Sequence, residues 1–110
     1  MDYRENRIQV AMSSTVSDGN FFYEGMVANV SRSGLRISDL PKRFDPHAKK
    51  CTTVITGKGE SYKLVLEPCW SKDDGLYQEV GFRIISSPLD WALFMDEIDS
   101  DDADIWGANA

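Results

Sequence analysis

The sequence predicts an all-β chain: a six-stranded antiparallel β-barrel with one C-terminal α-helix. Three observations predict it. Segments rich in Val, Ile, Thr and aromatic residues alternate apolar with polar positions. Clusters of Gly, Asp, Asn and Ser divide them at short spacing, which suits a closed or nearly closed antiparallel sheet better than an α/β layer. Helical periodicity occurs once, near the C-terminus.

The first strand is read in RIQVAMSS, Arg7 to Ser14, where Ile8, Val10 and Met12 alternate with polar or small residues. SDGN, Ser17 to Asn20, is a turn cluster. FFYEGMVANV, Phe21 to Val30, is the second strand, with Gly25 expected to mark a bulge or bend. GLRIS, starting at Gly34, is the third. DLPKRFDPHAKK, holding Pro41 and Pro46, reads as a loop. CTTVITG is the fourth strand, followed by a hairpin turn at GKGE, Gly57 to Glu60. SYKLVLEPCW and YQEVGFRII complete the six, divided by the turn cluster SKDDG. In SPLDWALFMDEI, Ser87 is the expected N-cap, Pro88 the first helical residue and Asp90 a first-turn acid. Trp91, Phe94, Met95 and Ile98 fall at helical spacing, so the helix, residues 88–98, should cover an open end or seam of the barrel. The same stripe would also suit a docking face. The expected organisation is an arginine-bearing flexible arm over 1–8, a barrel with its helix over 9–99, and an acidic disordered tail over 100–110.

The 110 residues suffice for one modest core. No apolar run is long enough to span a bilayer, and the charged start MDYRENR is unlike a secretion signal, so the reading is a cytoplasmic chain without membrane insertion. Cys51 and Cys69 lie in apolar-rich segments and read as small buried thiols rather than a disulfide. One histidine, His47, and no Cys-x-x-Cys pair leave little for a metal site, and none is expected. The net charge of −6 is uneven: residues 1–50 carry eight Lys/Arg against six Asp/Glu (+2), residues 51–110 four against twelve (−8). Such a balance argues against a nucleic-acid polymer as partner. It leaves room for a small anion held by arginines near the N-terminus.

NVSRSGLRI, Asn29 to Ile37, carries the functional argument. Ser and Asn side chains cap backbone groups at a tight corner, and Gly34 permits a conformation or a close approach that Cβ forbids. That alone accounts for these residues at a strand junction. The same turn also exposes amides, the hydroxyls of Ser31 and Ser33 and the guanidinium of Arg32, all able to bond a purine edge or a phosphate. Upstream, Arg4 and Arg7 lie on the arm, and arginine forks suit phosphate oxygens and guanine O6/N7.

Asn29-x-Ser31-x-x-Gly34 resembles the (D/N)-x-S-x-x-G motif of PilZ domains. RENRIQV is similar to the family's arginine-bearing arm and first strand, GLRIS to the strand after the motif, and LVLEPCW with EVGFRII to its later hairpin; a C-terminal helix is also expected. The resemblance covers nearly the whole chain. It implies a six-stranded barrel binding cyclic di-GMP, with Asn29, Ser31 and Gly34 against one guanine and Arg7 as the second arginine of an R-x-x-x-R arm. Tyr3 stands where the family has its first arginine, and Arg4 gives Arg-x-x-Arg instead. On this reading Arg4 swings into the role and Tyr3 stacks on a guanine, with Arg32, Ser33 and Trp70 as further candidates. Arg36 reads as a solvated charge, and Lys42, Arg43, Lys49 and Lys50 as a mild positive field.

The expected mechanism is ordering of the arm against the turn by the nucleotide, read by an unidentified downstream protein. The outputs implied by the resemblance are motility and biofilm behaviour, and the expected state is a monomer. The alternative is a protein-interaction adaptor of the same fold that binds no nucleotide. Catalysis is not expected: there is no nucleophile elbow, no Walker or Rossmann glycine loop, and the paired carboxylates lie mainly in the tail. No cofactor is expected beyond the ligand itself.

Overall fold

The computed structural model describes residues 8–57 and 59–97. Six strands, β1 (Ile8–Ser17), β2 (Phe22–Val30), β3 (Gly34–Pro41), β4 (Cys51–Gly57), β5 (Glu60–Asp74) and β6 (Tyr77–Ser86), pair in the order β1-β2-β3-β6-β5-β4. Every pairing is antiparallel, and β4 returns to β1 to close the barrel. A helix, α1, spans 89–97.

The alternation seen in the sequence builds the interior. Cys51, Thr53 and Ile55 of β4 point inward, as do Leu64 and Leu66 of β5 and Val80 and Phe82 of β6. Ser14 and Thr53 are polar residues that also face in. Their hydroxyls bond each other at 2.7 Å, and Thr53 Oγ1 also donates to Thr15 O at 2.9 Å, so neither group is stranded.

The two ends of the barrel differ. At one end lie the β2–β3 turn and α1. Trp91, Phe94 and Met95 are buried, and the rings of Tyr62, Trp91 and Phe94 meet at 4.9–5.6 Å between centroids. The apolar stripe of the helix therefore covers the barrel mouth, while Ile98 lies outside the described residues. At the other end, the β3–β4 loop crosses over the opening. Phe44 fills that opening edge-on against Tyr23 and Phe82, and Gln78 Nε2 donates to Pro41 O and Phe44 O.

Several sequence expectations need correction. SKDDG is not a turn: β5 runs through it to Asp74, and the reversal takes only Gly75 and Leu76. Gly75 adopts φ +74°, a conformation that favours glycine. This hairpin projects past the core: Lys72 lies opposite Glu79 in the ladder, and Lys42 of the β3–β4 loop bonds Asp73. Asp39, Leu40 and Pro41, read as loop, belong to β3, where Asp39 takes φ 60° at a register shift. Gly25 is no bulge: it sits in regular register with Ser14, and a Cβ there would lie 2.6 Å from Ile37 Cγ2. The β2–β3 shift falls instead between Val27 and Asn29. Cys51 is buried as expected, and burial beside Asp18 and Asp45 pushes its thiol up to about 11. Cys69 is exposed, because the β5 register shift between Pro68 and Trp70 takes it out of the inward alternation.

Candidate functional site

The turn Ser31–Gly34 is fixed by its own residues. Ser31 N donates to Gly34 O at 2.7 Å, and Ser31 Oγ donates to the same oxygen at 3.2 Å. Ile84 N donates to Ser33 O at 2.8 Å, which ties the turn to β6. Gly34 is required by close approach: a Cβ there would stand 2.8 Å from Phe82 O. Asn29 and Ser31 are buried, while Arg32 is exposed and pairs with Asp96 of α1 at 2.5 Å. The turn thus keeps its shape through internal bonds, and its hydroxyl and guanidinium already have partners.

Pairing register decides what surrounds it. Ile8 pairs with Val30, and Gln9 with Asn29, so the chain leading to Arg7 and Arg4 enters β1 directly beside the turn. Tyr3, Arg4 and Arg7 themselves lie outside the described residues. Continuing across the sheet, Asn29 pairs with Arg36, Arg36 with Gly81, and Gly81 with Trp70. These residues form one lateral row on the outer face, because their neighbours Leu35, Ile37, Val80 and Phe82 point into the core. Three strand-to-strand steps separate Asn29 from Trp70, roughly 14 Å at the usual spacing.

Trp70 lies against Gly81, where a Cβ would come within 2.2 Å of the indole. Its ring therefore leans from β5 across β6 toward β3, and it remains 45% exposed. Trp70 is thus brought onto the face that carries Asn29 and Arg36. Arg83, two residues along from Gly81, pairs with Gly34 of the turn and bonds Glu67 at 2.8 Å.

Sequence reasoning undervalued Arg36. Its side chain is only 35% exposed, and Glu79 Oε2 stands 3.3 Å from Nε. That Nε is buried and makes no hydrogen bond, since the carboxylate is near but not in line with the N–H. Arg36 is therefore not a simple solvated charge. A cross-strand neighbour 43 positions later in the chain was the missing signal. The basic residues Lys42, Arg43, Lys49 and Lys50 do not flank this face. They occupy the β3–β4 loop, a strand length from the turn, roughly 23 Å and well beyond a Debye length. Among the described residues no group of His, Cys, Asp or Glu could hold a metal ion, and no helix is long and apolar enough to cross a membrane.

Fold and site together define a closed six-stranded barrel with a polar, internally braced turn beside the start of its first strand. No family model and no curated protein matches the chain. Among solved structures it is similar to the Bacillus subtilis inhibitor of motility, MotI/DgrA, with a TM-score of 0.74 at 8% identity, over 94% of this chain and 53% of that one. The chain spans about half the length of that neighbour. At this identity the likeness is one of fold, and it agrees with the closed six-stranded antiparallel barrel.

Proposed function

We propose that this chain is a PilZ-type cyclic di-GMP receptor, in which the nucleotide draws the N-terminal arm onto the Asn29–Gly34 turn. The observation that carries the reading is the pairing of Ile8 with Val30 and of Gln9 with Asn29, which starts β1 beside the motif. In the proposed complex Arg7 and Arg4 grip phosphate and guanine, and Tyr3 stacks on a base. Asn29, Ser31 and Gly34 line one guanine. Arg32, Ser33 and Trp70 complete the surroundings. Pinning the arm alters the shape and charge of one barrel face, which a downstream protein reads. The structural neighbour is titled an inhibitor of motility, which favours motility as the output; biofilm behaviour belongs to the same proposal.

The test is calorimetric titration with cyclic di-GMP. Arg7→Ala should cost about 1.5–3 kcal/mol, a factor of roughly 10–150 in affinity, the usual worth of a charge-assisted bond. Equal affinity of the two proteins would remove Arg7 from the site. One observation favours the second reading, a nucleotide-free adaptor of the same fold. Ser31 Oγ is spent on Gly34 O and Arg32 on Asp96, so the turn is complete without a ligand. Absence of heat and of amide shifts at high nucleotide concentration would leave that adaptor.

A further inference from the structure

We propose that Arg36 and Glu79, with Trp70 seated on Gly81, form a subsite that reads the hydrogen-bonding edge of a guanine base. The inference rests on the receptor reading above and adds the residues that would choose the base. Arg36 presents a donor and Glu79 an acceptor, side by side, with 3.3 Å between Nε and Oε2. Their own bond is misaligned, so a buried N–H is left without an acceptor. The side chain as a whole is 35% exposed, so its terminal N–H groups, rather than the buried Nε, would meet an incoming carbonyl oxygen.

Guanine offers the complementary order along one edge: the O6 acceptor lies next to the N1–H and N2–H₂ donors. Arg36 can donate to O6 while Glu79 accepts from N1–H. Adenine reverses that order, with an N6–H₂ donor beside the N1 acceptor. A donor would then face Arg36 and a lone pair would face Glu79. A polar pair built this way rejects the wrong base because its own groups go unpaired.

The surroundings fit a flat ring. Trp70 leans over Gly81, which shares a row with Arg36 and lies two residues from Glu79 on the same outer face of β6. Its half-exposed indole offers a face for stacking.

The experiment compares cyclic di-GMP with cyclic di-AMP by calorimetry on the whole chain, for wild type, Arg36→Ala and Glu79→Gln. Wild type should prefer the guanine nucleotide by at least about 100-fold. Arg36→Ala should weaken the guanine nucleotide at least about tenfold. Glu79→Gln, nearly isosteric, should shrink the preference ratio at least about tenfold, a change that a purely structural role would not produce. Binding by wild type with an unchanged ratio in a folded Glu79→Gln protein overturns this subsite and leaves the receptor standing. No binding of either nucleotide by wild type ends both.

Discussion

At the motif end of the barrel, α1 lays Trp91, Phe94 and Met95 over Tyr62. At the opposite end one buried carboxylate organises two loops. Asp18 Oδ1 accepts from Asn20 N and Phe21 N at 3.0 and 3.1 Å, and Oδ2 accepts from Asp45 N at 3.1 Å. The first end is closed by apolar area, which depends little on pH or salt. The second is filled by Phe44, under loops that hydrogen bonds to a charge hold in place. At the first end the Ser31–Gly34 turn adds the exposed Arg32–Asp96 pair to the aromatic closure. At the far end the loop amides are consumed by Asp18, and exposed Phe21 and Phe22 flank them.

Three substitutions sharpen the contrast, in decreasing order of effect. Trp91→Ala should lose about 3–5 kcal/mol in chemical denaturation, as large core truncations do. A loss below about 1 kcal/mol would mean that the helix does not close that end. Asp18→Ala should lose about 1.5–3 kcal/mol, the worth of bonds to a charged acceptor. Its acid response should differ too. Burial raises the Asp18 pKa, but the amides of Asn20, Phe21 and Asp45 outweigh it and hold the carboxyl below its ordinary value. A depressed folded pKa contributes stability above the unfolded value of about 3.9 and loses it as pH falls through the folded one. The stability of wild type should therefore drop below about pH 4, more steeply than that of Asp18→Ala; parallel curves would remove Asp18 as the acid-sensitive clamp. Asp96→Asn, which breaks the exposed pair with Arg32, should change stability by less than about 1 kcal/mol. A larger loss would show that the turn and α1 are held by charge as well as by rings.

Much of the fold was legible because its signals are local. The alternation in CTTVITG and the stripe Trp91, Phe94, Met95 each follow one period, and burial obeys both. The motif turn was legible for the same reason, since Ser31 and Gly34 bond within four residues. The flanking row was not. Whether Arg36 faces Asn29 and Gly81 depends on which residue is extra on each partner strand. The register shifts at Val27/Asn29 and Pro68/Trp70 have no local signature: Gly25, the obvious bulge residue, pairs regularly. The length of β5 was missed because SKDDG has turn composition, whereas its first four residues pair with β6 and Asp73 bonds Lys42.

The anchoring of β1 against β2 sets a leash. Arg7 is a single residue from the paired Ile8, and Arg4 is four, so the backbone gives them radii of about 3.5 Å and 14 Å at full stretch. In the proposed complex the short radius would keep Arg7 near Val30, while the longer one falls short of Trp70, four strand steps and roughly 19 Å from Ile8. In the proposed complex, covalent attachment would supply both guanidinium groups without recruitment from bulk solution. Moving an arginine to another position on the arm would therefore not be neutral, even though composition and charge stay the same.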